Sequence, residues 1–212
     1  MNSVHDHAER ATAVRRGRLL EYLTIVWNLL EGIISIGAGL LSGSIALIGF
    51  GFDSLIEVSS GAALLWRLHM DAPERRERAE AIALRLVGIS FMLLAIYVAV
   101  DAVKSLIQRE LPEASYLGIA IAALSLLVMP YLASAKRRVA AAIQSRALQA
   151  DSRQTDICAY LSAILLGGLL LNALFGWWWA DPVAALVMVP IIAREGIEAL
   201  RGESCCEEGA CY

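Results

Sequence analysis

The stretch LIGFGFDSLIEVSSGAALLW, Leu47 to Trp66, has the apolar content of a membrane-crossing helix, yet it carries Asp53 and Glu57 near its middle. A hydrocarbon core about 30 Å thick takes about 20 mostly apolar residues of helix. Residues four apart stand one turn apart on the same face, so the two carboxylates project the same way. A charged acid at the bilayer centre costs at least ~2.5 kcal/mol on insertion scales, and two neighbouring charges also repel. A bound cation, a proton or a water-filled cavity relieves that cost. A protonated, hydrogen-bonded structural pair is the plainer alternative. Intramembrane acids default to function, so Asp53 and Glu57 are read as candidate ion ligands.

The rest of the 212-residue chain has the same character: 58% of it is hydrophobic and the mean hydropathy is +0.61. Soluble domains run at about 45–50% apolar. Six spans are predicted: Leu19 to Leu41, Ser44 to Trp66, Ala81 to Ile107, Ser115 to Ala135, about Arg146 to Gly176, and Asp181 to Leu200. The fold class expected is all-α, a polytopic membrane protein built as a six-transmembrane-helix bundle. Residues 1–18 form an N-terminal arm, 19–200 the bundle, and 201–212 a tail holding Cys205, Cys206 and Cys211. The arm is polar, with no signal peptide, so the first span is expected to target the chain.

Charge orients the bundle. Arg10, Arg15, Arg16 and Arg18 precede the first span; Arg67, Arg75, Arg76 and Arg78 follow the second; Lys136, Arg137, Arg138 and Arg146 follow the fourth; Arg201 follows the sixth. Basic residues stay on the cytoplasmic side, so both termini are expected there. The net charge of −3 singles out no partner, and nucleic acid is not expected as one. No nucleophile motif or phosphate loop is evident, so no enzyme and no cofactor is expected.

A second acidic cluster lies in ALQADSRQTDICAY. Asp151 and Asp156 are five apart, about 140° round a helix of 3.6 residues per turn, and cannot both face one point squarely. By spacing Asp151 goes with Thr155, and Gln154 with Cys158. A solvated helix entrance with Arg153 as counter-charge is the bland alternative. Asn28 and Glu31 share a face, as do Asp101 and Lys104, the latter as a surface ion pair. Asp181-Pro182 reads as an N-cap with proline in the first helical position. Ser35, Gly39 and Gly43 have the spacing of close helix packing. Trp177, Trp178 and Trp179 suit a headgroup belt. His5 and His7, and the cysteines of the tail, are candidate metal-capture groups.

These residues resemble the cation diffusion facilitator family. SGSIALIGFGFDSLIEVSSG is similar to its second membrane helix, ERAEAIALRLVG to its entry into helix three, ALQADSRQTD to its helix five, and WWWADPVAALVMV to the start of its helix six. The likeness runs from about Leu20 to Leu200. It implies a divalent-metal transporter, typically exporting zinc in exchange for protons, with two ligands from helix two and two from helix five. It also implies a homodimer, in a bacterial inner membrane. Asp53 and Glu57 match the helix-two ligands. Helix five departs, because the family's His is absent. Aligning on Ala-Asp selects Gln154 and Cys158; aligning on the later acid selects Asp156, with Ser152 opposite. Asp151 and Asp156 are the preferred ion-facing acids, Gln154 and Cys158 the rival pair. The family's cytoplasmic metal-binding domain has no counterpart here, which resembles a short form of the vesicular-zinc-protein branch. An oxygen-only site would lean away from zinc, and Cys158 would restore it. Zinc stands first, then iron, manganese and cobalt. A cation channel using the same acids, and a non-transporting interaction protein, are the rival functions.

Overall fold

A computed structural model describes residues 2–69, 73–109, 112–143 and 146–201. The elements are α1 (Asn2–Ser42), α2 (Ile45–His69), α3 (Pro73–Gln108), α4 (Tyr116–Ile143), α5 (Arg146–Phe175) and α6 (Ala180–Arg201). The described residues contain no strand. The cysteine tail lies outside the described residues, and nothing is described of the side chains of His5 and His7. The 41-residue α1 is about 60 Å long at 1.5 Å per residue. It therefore runs straight through the arm and the first span as one helix.

The burial pattern is that of a protein turned inside out. Glu21, Thr24, Asn28, Glu31 and Ser35 recur at alternating three- and four-residue steps along α1, and all are buried. The opposite faces expose Leu40, Leu93, Leu127 and Leu174. Water would penalise such a surface heavily; lipid does not. Five helices are long and apolar enough to cross a membrane. The sixth predicted span falls short on charge rather than length. α6 has 22 residues, but Asp181 stands in its first turn and Arg194, Glu195, Glu198 and Arg201 in its second half.

α1 packs on α2, α4 on α5 and α3 on α6; α1 also meets α4, and α2 meets α5. Helices α1, α2, α5 and α4 thus close a ring, with α3 and α6 flanking α2. The apolar core, with Leu47, Phe50, Val98, Met129, Leu165 and Met188, fills the seams. Small residues set the closest approaches. A Cβ on Gly39 would stand 2.9 Å from the Ile48 amide nitrogen, and one on Gly88 of α3 would stand 2.9 Å from the Gly196 carbonyl of α6. Gly39 and Ser35 therefore face the bundle as expected. Gly43 does not: nothing would lie within 4 Å of its Cβ. It takes φ +71°, and the Ser44 amide donates back to the Gly39 carbonyl at 3.1 Å. This is a helix stop requiring a left-handed residue.

The start of α2 overturns the reading of Asp181 as a cap for its own helix. α6 begins one residue earlier, at Ala180, and the Asp181 side chain reaches α2 instead. Its Oδ2 accepts from the Ile45 amide at 2.9 Å and the Ala46 amide at 3.4 Å, while its Oδ1 accepts from the Ser44 hydroxyl at 2.5 Å. Ser44 Oγ in turn accepts from the Leu47 amide at 3.1 Å. The first amides of a helix have no partner within it, so a carboxylate from α6 completes α2. Asp181→Ala should cost about 2–4 kcal/mol, because buried donors lose their acceptor. Unfolding by denaturant in mixed micelles, followed by circular dichroism, reads the loss; an unchanged midpoint would contradict it.

Candidate metal centre between helices two and five

Asp53 and Glu57 stand on the inner face of α2 and are 6% and 3% exposed. Glu57 looks directly at α5: its Oε1 lies 2.9 Å from the Thr155 hydroxyl, and its Oε2 has no partner. One turn on, the Ser60 hydroxyl donates to the Gln154 side-chain Oε1 at 3.1 Å. Helices two and five therefore oppose each other along this face. Asp53 is within electrostatic range of Glu57, of Glu31 on α1 and of Glu195 on α6.

The helix-five candidates part company. Cys158 is a buried free thiol, within electrostatic range of Glu31, Glu57 and Asp53. Its Sγ lies 3.8 Å from Glu31 Oε1. Gln154 is half-buried against α2, with its Nε2 unpartnered. Asp151 is buried but engaged by the Lys136 ammonium of α4. Asp156 turns to the other side, where it pairs with the exposed Arg137. The structure thus brings Gln154 and Cys158 toward α2 and gives Asp151 and Asp156 basic partners on α4. Among the described residues, no three His, Cys, Asp or Glu side chains are gathered tightly enough to hold a metal ion. Gathering Asp53, Glu57 and Cys158 round one ion requires side-chain or helix movement.

Two buried ionisable groups were given no part in the site from the sequence: Glu31, noted only for sharing a face with Asn28, and Lys136. Glu31 accepts from Trp27 Nε1 at 2.8 Å and from Ser54 Oγ at 2.7 Å. Lys136 was counted among the cytoplasmic loop cations, yet α4 continues to Ile143 and Lys136 is fully buried. Beside Asp151, it meets Glu21 Oε1 at 3.3 Å and Thr155 Oγ1 at 3.4 Å. The sequence signal was faint: one lysine, a helical segment ahead of the next acid, directly after an apolar run. By contrast the Asp101–Lys104 pair is present at 4.0 Å on the surface of α3, as expected.

Comparison with known proteins bears on this geometry. The profile of the cation efflux transmembrane domain matches residues 22–203. Transmembrane protein 163 of Xenopus laevis is 25% identical over 182 residues, covering 85% of this chain and 65% of that one. An uncharacterized transporter of Methanocaldococcus jannaschii is 27% identical, over 81% of this chain and 63% of that one. The cation-efflux pump FieF of Shewanella oneidensis is 28% identical over 86 residues, 41% of this chain and 29% of that one. The chain spans less than two thirds of the length of these relatives. With five helices fit to span a bilayer, the protein is an integral membrane protein, and it belongs to the cation efflux family.

Proposed function

We propose that this protein is a divalent metal cation transporter, exporting zinc first among the metals, in exchange for protons. The observation that supports this most is the pair Asp53 and Glu57: two carboxylates buried in a lipid-facing bundle, one with an oxygen that has no partner. Buried charges persist where a counter-charge or coordination compensates them. A doubly charged ion supplies that compensation, and carboxylates exchange metal for protons because both compete for the same lone pairs.

Cys158 and Gln154 are the helix-five ligands that best fit the geometry, because Lys136 holds Asp151. Asp156 is the least suited, being paired with Arg137. The thiol of Cys158 favours zinc, while iron, manganese and cobalt follow with oxygen-richer ligation. Both termini face the cytoplasm in this reading, the bacterial inner membrane is the setting, and the transporter works as a homodimer.

Uptake into proteoliposomes tests it, with zinc, iron(II), manganese and cobalt supplied in turn, each with and without a pH gradient. Flux that follows the gradient supports exchange; flux that carries current without a gradient means a channel. Cys158→Ser should lower zinc transport relative to manganese by roughly tenfold, since it replaces a soft ligand with a hard one. An unchanged zinc-to-manganese ratio would remove Cys158 from the site.

A further inference from the structure

Three consecutive basic residues, Lys136, Arg137 and Arg138, end the apolar part of α4, and only the first is drawn inside. Arg137 and Arg138 are exposed, while Lys136 has 0% exposure. Its ammonium meets oxygens from two other helices: Glu21 on α1, and Asp151 and Thr155 on α5. Thr155 passes the contact on to Glu57 of α2. All four helices of the inner ring are therefore joined through one lysine.

The direction of these bonds matters. An ammonium only donates, and a hydroxyl has one proton to give. Lys136 donating to Thr155 Oγ1 occupies an oxygen lone pair and leaves the hydroxyl proton to be directed elsewhere. Two acceptors lie within reach of it, Glu57 Oε1 at 2.9 Å and the Asp151 carbonyl at 3.1 Å. A carboxylate accepts the stronger bond, so the proton goes to Glu57. That bond ties down Oε1 and leaves Oε2 without a partner.

We propose that Lys136 is a positioning residue for the α2 carboxylates: its ammonium holds Asp151 as a fixed counter-charge and aims the Thr155 hydroxyl at Glu57, so that one oxygen of Glu57 remains for the transported ion. Asp151 acts through Lys136 and is not itself a ligand. The inference rests on the transport reading above. The lysine also places a positive charge beside Asp151, which repels a divalent ion from that acid and leaves it to Asp53, Glu57 and Cys158.

Zinc uptake by the full chain in proteoliposomes separates these roles through four variants. Lys136→Gln leaves Glu21 and Asp151 without their shared cation, and Asp151→Asn frees the lysine from its α5 anchor; each should lower uptake by at least about tenfold. Because Asp151 acts through Lys136, Lys136→Gln/Asp151→Asn should fall within about twofold of Lys136→Gln alone, whereas independent contributions would multiply. Thr155→Val should raise the apparent KM for zinc about fivefold while the maximal rate stays within about twofold, because Glu57 loses its donor while Lys136 keeps Glu21 and Asp151. Losses that multiply in the double variant would overturn the proposal, since Asp151 would then act independently of Lys136. So would Thr155→Val with an unaltered KM in protein that is monodisperse by size exclusion. Failure of the transport reading is a different result: no zinc uptake by the unsubstituted chain, which would remove both conclusions.

Discussion

Asp53→Asn should abolish divalent-cation flux, lowering it at least about 100-fold, in protein that still inserts and purifies as a single species. The substitution keeps volume and shape and removes only the charge. Changing a residue one layer outside a metal site already costs about 10–100-fold, and loss of a charged ligand costs at least as much. Folding should not suffer: Asp53 lies near other acids, Glu57, Glu31 and Glu195, and removing one of several like charges relieves repulsion. Flux in liposomes and calorimetric zinc binding in detergent check the two halves of the expectation. Flux within about threefold of the original would mean that the pair is structural, and that the ion passes elsewhere.

Gly51→Leu should do the opposite, destroying the fold and with it every activity. A Cβ at Gly51 would stand 2.9 Å from the Ile36 amide nitrogen and 3.0 Å from the Gly32 carbonyl oxygen. Both are backbone atoms, so no rotamer change relieves the clash. α1 would have to leave α2, carrying with it the Glu31–Ser54 hydrogen bond at 2.7 Å. Overpacking of this kind costs about 1–3 kcal/mol where side chains yield, and more where they do not. Thermal unfolding followed by size exclusion should show little folded protein. Gly37→Leu is the matched control. Nothing would lie within 4 Å of its Cβ and the site is exposed, so stability should stay within about 0.5 kcal/mol. Equal losses from the two substitutions would mean that helix propensity, not close approach, is what Gly51 supplies.

Much of this architecture was legible in the residues. Apolar runs of membrane length located the helices, because lipid demands that each backbone satisfy itself. Four-residue spacing put Asp53 and Glu57 on one face without any knowledge of their surroundings. Hydropathy was blind to what depends on a neighbouring helix. A lysine reads as the end of a span, so Lys136 was assigned to a loop; the acids that hold it come from α1 and α5, distant in sequence. Asp181-Pro182 has the local form of a helix start, and the amides it serves belong to α2. The choice among Asp151, Gln154, Asp156 and Cys158 depends on the rotation of α5 about its own axis. Residues five apart in a helix fix only their mutual angle, not the direction in which either points.

The connections α1–α2, α3–α4 and α5–α6 gather at one end of the bundle and are stitched to one another. Asp181 grips the start of α2, the Glu113 amide donates to the Ser42 carbonyl at 2.8 Å, and Asn172 donates to the Pro112 carbonyl at 2.9 Å. These are short-range bonds to backbone, and they leave little slack. At the far end the ring is drawn together by long side chains on Lys136 and Glu21, whose contacts break with a change of rotamer. In the proposed transporter, rocking of the helices would therefore pivot about the stitched end and splay the lysine end.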